Sequence, residues 1–183
     1  TGFTTNTRFR IGSLTKLFVT LACLRLAEQG ILDLDRPACA LATKLHFDDE
    51  RGRQITARQC LSHIAGLPHM KSSEDTLHKL RSKLIAKPGS QYGYSNVGFQ
   101  LIQVVIETLT GKTWREVVAN EVGIPLGLTH TGAKCDTDIC EVAAADPKAA
   151  DPKAADPNDT YSDTFEAAGA SGALCSSAGD LAK

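Results

Sequence analysis

The chain has 183 residues, 42% of them apolar and 22% charged, with a formal net charge of -1. At roughly 150 residues per domain this is one globular domain with enough material for a core, and its near-neutral charge argues against a broad basic surface for nucleic acid. The longest apolar run, Leu17 to Leu24, contains Thr20 and falls far short of the ~20 residues of a membrane span; no signal peptide opens the chain, which begins at Thr1.

Thr7-Arg-Phe-Arg-Ile11 alternates polar and apolar residues, which predicts a short strand. Gly12 opens an apolar-rich stretch to Gln29, with Gly30 as C-terminal cap. Leu14, Leu17, Phe18, Leu21 and Leu24 fall near helical spacing, and Ala22, Leu26 and Ala27 widen the apolar face, so burial on most sides is expected. Ile31 to Pro37 is an extended exit. Thr56 to Gln59 fits a capping box ahead of a short helix ending near Gly66-Leu-Pro68. Pro88-Gly89-Ser90 marks a turn. Val97, Leu101, Val105 and Leu109 form one stripe of a helix that Gly111 ends. Thr113 to Glu116 is a second capping box, and Gly123-Ile-Pro-Leu-Gly127 closes its helix.

The texture then changes. Ala-Ala-Asp-Pro-Lys occurs at 144–148 and at 149–153, with an imperfect copy at 154–158. Each proline removes a backbone donor and disfavours helix in the residue before it, so 143–159 is expected to be an extended low-complexity insertion within the domain. Ser177-Ala-Gly-Asp180 starts a last helix. Cysteines stand at 23, 39, 60, 135, 140 and 175 without the paired ligand spacing of a zinc site. Cys23 and Cys60 read as small buried apolar residues, whereas a Cys135–Cys140 bridge depends on the redox compartment.

Two segments carry the chemistry. In Ser13-Leu-Thr-Lys16 the serine and lysine share a helix face, which Thr20 continues. A lysine buried there has its ammonium form disfavoured, and the helix N-terminus favours an anionic hydroxyl; together they make Ser13 a candidate nucleophile. The plain alternative is a surface helix start with a solvated lysine. In Tyr94-Ser95-Asn96 a tyrosine next to a lysine could relay protons, and Asn96 can both donate to and accept from a substrate amide. The plain alternative makes Asn96 a helix N-cap and Tyr94 a loop aromatic.

In this order, the two segments resemble the serine β-lactamase and penicillin-binding protein superfamily, most closely its class C β-lactamase, D,D-carboxypeptidase and esterase branch. Linking stretches are similar too: Phe9 to Lys16, Gly30 to Asp35, Cys60 to Leu67, Pro88 to Ser90, Gly111 to Thr113, Pro125 to Thr129 and Ser176 to Ala182. The resemblance implies an α+β fold, an αβα sandwich of the β-lactamase/transpeptidase kind, of which this chain would hold mainly the helical centre without the outer sheet strands. Such a fragment should be mostly helical and leave apolar surface uncovered.

The resemblance also implies an acyl-enzyme mechanism on a lactam, D-alanyl peptide or ester carbonyl. Ser13 would attack, Lys16 and Tyr94 would move its proton, Asn96 would bind the substrate's amide side chain, and the Ser13 N–H would supply half of an oxyanion hole. It implies no metal or organic cofactor and a small-molecule or peptide substrate; the near-neutral charge argues against nucleic acid, and no membrane span is present in this chain. Many relatives are exported, and the compartment of this chain stays open. The family's third motif, Lys/His-x-Gly on a strand, is expected beyond Lys183. His130-Thr131-Gly132 follows Pro125-Leu-Gly-Leu-Thr129 instead, the context of a loop after a helix. The competing reading is therefore an inactive remnant or a penicillin-binding-like protein. His63 reads as a packed histidine at a helix end, His46, His69 and His78 as exposed, and Trp114 as core.

Overall fold

The computed structural model of the protein describes residues 2–69, 83–132 and 169–183. The Ala-Asp-Pro repeat, His78, Cys135 and Cys140 lie outside the described residues. The expected first strand forms over Arg8–Arg10 (β1) and pairs antiparallel with Cys175–Ser177 (β2). Arg8 lies opposite Ser177, Phe9 opposite Ser176 and Arg10 opposite Cys175. The Ile11 N–H continues the pairing to the Leu174 carbonyl at 3.0 Å. On its other edge Cys175 exchanges both backbone bonds with Gly132, at 2.9 and 2.8 Å.

A tight turn at Gly12–Leu14 leads into α1, Thr15–Glu28. Short helices follow at Ala38–Leu41 (α2) and Ala57–Leu61 (α3), then the long α4, Asn96–Thr110, and α5, Trp114–Val118, which continues into a π turn over Ala119–Gly123. Ala178–Leu181 (α6) closes the chain. Both expected capping boxes form: Thr56 with Gln59 and Thr113 with Glu116 each satisfy two backbone donors that the first turn leaves open. Gly111 ends α4 in the left-handed region at φ 67°, where a side chain would be strained.

The core lies between α1, α4 and α5. Helix α4 buries more than the expected stripe: Phe99, Ile102, Val104 and Ile106 are buried along with Val97, Leu101 and Val105. Trp114 is buried as expected. Helix α1 corrects the expectation of burial on most sides. It buries Phe18, Val19, Ala22, Cys23 and Leu26, while Leu14, Leu17, Leu21 and Leu24 are exposed, Leu17 by 62%. The sequence pattern is apolar on both faces, but among the described residues the core packs against only one of them. Ile124 and Leu126 add to this uncovered apolar surface.

Residues 169–174 form a strap across the helices. The Ala170 N–H donates to Gln103 Oε1 of α4 at 3.1 Å, the Leu174 N–H to Thr15 Oγ1 of α1 at 3.1 Å, and Arg115 of α5 to the Ala173 carbonyl at 3.3 Å. This strap places the Ser171 carbonyl beside α1. Behind it, the buried Asp180 carboxylate accepts the His130 N–H at 2.7 Å and the Thr131 hydroxyl at 2.9 Å, and Ser177 caps α6 through the Asp180 N–H.

Cys23 and Cys60 are free buried thiols, and burial pushes the Cys23 pKa up to about 12. Cys39 is also free. Cys175 is disulfide-bonded. No described helix is long and apolar enough to cross a membrane.

Candidate active site

Ser13 occupies the middle of the turn that opens α1, and Lys16 lies in the first helical turn. Three residues along a helix return to nearly the same face, and the Lys16 Nζ donates to Ser13 Oγ at 3.2 Å. Lys16 is only 6% exposed. Its ammonium is surrounded by two further acceptors: Asn96 Oδ1 at 2.9 Å and the Ser171 carbonyl at 2.6 Å. It also stands 4.8 Å from the centroid of the Tyr94 ring and 5.4 Å from that of Phe99. Burial lowers the Lys16 pKa from the usual lysine range; a hydrogen bond and a charge interaction with Tyr94 oppose this without cancelling it. A neutral amine is thereby brought closer to hand than on a solvated lysine.

Tyr94 completes the cluster from the opposite side. Its hydroxyl donates to Ser13 Oγ at 2.7 Å across a sequence separation of 81 residues. The four residues singled out by the two motifs, Ser13, Lys16, Tyr94 and Asn96, thus meet in one hydrogen-bonded group. The helix cap is Ser95 rather than Asn96. Ser95 Oγ accepts the Gly98 N–H at 3.3 Å, and its hydroxyl donates to the Pro68 carbonyl at 2.8 Å. Asn96 becomes the first residue of α4, and its side-chain oxygen turns toward Lys16 instead of capping. Thr20 does not extend the polar cluster: its hydroxyl donates to the Lys16 carbonyl one turn back, at 2.7 Å.

His63, expected only as a packed histidine at a helix end, makes a contact with the Tyr94 segment that the sequence did not indicate. Its ring stacks on Tyr94 with centroids 4.4 Å apart and planes at 29°, and its Nδ1 accepts the Ser95 N–H at 3.2 Å. Among the described residues it is the one non-glycine residue at positive φ, 58°. Burial lowers its pKa from the usual histidine value, and the nearby Lys16 charge adds to the effect. The signal in the sequence was faint, a histidine just past a short helix in a glycine-punctuated turn. His69 and Tyr92 complete the aromatic surround, His69 against Tyr94 at 5.5 Å and Tyr92 against His63 at 5.9 Å.

His130-Thr131-Gly132 was expected in a loop without strand character. Gly132 instead pairs with β2, and Thr131 shares a 2.8 Å hydrogen bond with Ser176. The backbone of His130 is held by Asp180, and its ring shares a bond with Thr129 at 2.9 Å. The triplet is therefore built into the sheet edge. Among the described residues no group of three or more potential metal ligands gathers.

A family model described as Beta-lactamase matches residues 1–183. The chain belongs to the Beta-lactamase family. It is 29% identical over 142 residues to Protein flp of Staphylococcus aureus, a match covering 70% of this chain and 28% of flp. It is 27% identical over 146 residues to the D-alanyl-D-alanine-carboxypeptidase/endopeptidase AmpH of Escherichia coli, covering 72% of this chain and 38% of AmpH. Among solved structures, D-amino acid amidase from Ochrobactrum anthropi SV3 superposes with a TM-score of 0.73 at 26% identity, over 98% of this chain and 56% of the amidase. The chain thus spans only part of the length of these relatives. The α+β fold expected from the motifs is that of its structural neighbours, represented here by a mainly helical part with a two-stranded sheet.

Proposed function

We propose that the protein is a serine hydrolase that forms an acyl-enzyme on Ser13, with an amide, D-alanyl peptide, lactam or ester carbonyl as substrate. The observation that carries this reading is the convergence of two proton-moving groups on one hydroxyl: Lys16 Nζ at 3.2 Å and Tyr94 Oη at 2.7 Å from Ser13 Oγ. A serine hydroxyl is a weak nucleophile at neutral pH and needs a base within hydrogen-bonding reach. In the proposed step Ser13 Oγ bonds to the carbonyl carbon. Its proton passes to the neutral Lys16 amine, directly or through Tyr94, which gives up its own proton as it takes that of Ser13. The bond to the leaving nitrogen or oxygen breaks, and that atom receives the proton. Water then attacks the acyl-serine carbon along the same relay, releasing the acid and restoring Ser13.

Asn96 is proposed to bind the amide side chain of the substrate, next to the Lys16 ammonium that its Oδ1 already contacts. AmpH and D-amino acid amidase, hydrolases of D-configured peptide and amide substrates by their names, support this choice of substrate class.

The test is covalent labelling. Folded protein is incubated with a fluorophosphonate and, separately, with a fluorescent penicillin, and the adduct is mapped by mass spectrometry. Ser13 should carry the label, and Ser13→Ala should carry none. Equal labelling of the two proteins, or no label from either probe, overturns the proposal. The lifetime of the penicillin adduct then separates rapid turnover from slow acyl binding.

A further inference from the structure

The motif residues account for Ser13, Lys16, Tyr94 and Asn96, but not for the histidine packed behind them. His63 touches the segment that delivers two of the four. Its ring covers one face of the Tyr94 ring at 4.4 Å, and its Nδ1 receives the N–H of Ser95, the residue between Tyr94 and Asn96. Its own carbonyl accepts the Gly93 N–H at 2.7 Å. One residue therefore grips three successive positions, 93, 94 and 95, just before α4 begins.

The hydrogen bond fixes the chemical form of the ring. A backbone N–H can only donate, so Nδ1 must be the bare nitrogen and the ring proton must sit on Nε2. A protonated imidazolium carries a hydrogen on both nitrogens. It would set an N–H against the Ser95 N–H and a positive charge close to the Lys16 ammonium. The backbone agrees with a demand for this residue's contacts: φ of 58° is an uncommon conformation for a non-glycine residue, and it persists where the surroundings hold it.

We propose that His63 is a positioning residue: as the neutral Nε2–H tautomer it holds Tyr94 and Asn96 against Ser13 and Lys16, and protonation of its ring releases that segment and slows attack by Ser13. The inference rests on the acyl-enzyme reading for its kinetic consequence but not for the coupling itself. The titratable groups around the ring are Lys16 from α1, Tyr92 and Tyr94 from the segment before α4, and His69, which reaches it through Tyr94. Lys16 shapes the rate profile too, so the informative variants are those that remove the histidine's contribution alone.

Asparagine is the informative substitute. Its Oδ1 sits where Nδ1 does, it accepts but does not titrate, and it tolerates positive φ better than most residues. Alanine removes both ring and acceptor. Two measurements are made on the whole protein. The first is an NMR titration of the imidazole nitrogens of His63, the Ser95 amide and the Tyr94 ring between pH 4.5 and 8. The expected result is an unprotonated Nδ1 at neutral pH, and Ser95 and Tyr94 signals that move along the His63 curve with a midpoint below 6.5.

The second is the rate of fluorophosphonate labelling of Ser13 over the same range. The wild-type rate should fall on the acid side with the His63 midpoint. His63→Asn should be several-fold slower at pH 7.5 and lack that limb, keeping only the part due to Lys16. His63→Ala should be roughly tenfold slower than His63→Asn, since about one geometric constraint is lost. Independent titration of His63 and Tyr94, a protonated Nδ1 at neutral pH, or a step at the wild-type His63 midpoint retained in His63→Asn overturns the proposal. A wild-type protein that no probe labels overturns the acyl-enzyme reading, and the NMR titration still decides whether His63 controls the Tyr94 segment.

Discussion

Replacing Lys16 by methionine separates what the lysine does for chemistry from what it does for stability. In the folded protein the side chain is 6% exposed, and its ammonium donates to Ser13 Oγ, Asn96 Oδ1 and the Ser171 carbonyl. Deleting it removes the charge-assisted hydrogen bonds to the Ser171 carbonyl and to Asn96, a loss of about 1.5–3 kcal/mol for each. Against this, the desolvation cost of a buried cation disappears, and a methionine of similar length keeps the apolar contacts of the stem. The two effects oppose each other, so the net change should stay within about 2 kcal/mol, or roughly 4–8 °C in Tm for a chain of this size. The chemical loss is larger, because a positioned base contributes about 10²–10⁴-fold, equivalent to ~3–5 kcal/mol of barrier.

Lys16→Met should therefore melt cooperatively near the wild type while labelling Ser13 with fluorophosphonate at least about a hundredfold more slowly. Wild-type labelling should rise with pH through the Lys16 pKa, which lies below 10.5, as the ammonium gives way to the amine. Lys16→Arg keeps a charge but offers no neutral amine, so it should be as slow as Lys16→Met. Fast labelling by Lys16→Arg would refute the base assignment and leave only an electrostatic role; an unchanged rate in Lys16→Met would refute both.

The other predictions address single contacts. Ser13→Ala should abolish labelling while shifting Tm by no more than ~2 °C, since a serine in an exposed turn contributes little to the fold; a large loss of stability would mean a structural role. Gly66→Ala should lower the unfolding free energy measured in urea by at least about 2 kcal/mol, and the midpoint with it, because Gly66 has φ 72° and an added Cβ would collide with the Ala86 carbonyl oxygen. An unchanged midpoint would show that this turn is not held as described. Asp180→Ala should cost about 3 kcal/mol, as the His130 N–H and the Thr131 hydroxyl lose a charged acceptor. Burial raises the Asp180 pKa, but the His130, Thr131 and Lys183 donors outweigh it and hold the carboxyl below its usual range. Its contribution is thus full above about pH 4 and is lost as pH falls toward the folded-state pKa, so acid unfolding followed by circular dichroism should be shallower in Asp180→Ala.

The sequence by itself determined the local features of this protein. The capping boxes at Thr56 and Thr113, the glycine stop at Gly111 and the Ser177 cap could be read because each depends on residues three or four apart. The two motifs were legible for the same reason, and their combination pointed to the family. Where local signals admitted two solutions, tertiary structure chose. Ser95 rather than Asn96 caps α4, because Lys16 from a distant helix takes the Asn96 oxygen and Ser95 is anchored to Pro68.

Helix α1 is apolar on both faces in the sequence, but which face is buried follows from where α4 and α5 lie. The pairing of β1 with β2, the strap that brings Ser171 to Lys16, and the stacking of His63 on Tyr94 all join residues separated by tens of positions or more. No periodicity encodes such contacts. They exist because the packed core fixes the distances at which a buried ammonium, a phenol and an imidazole can satisfy one another.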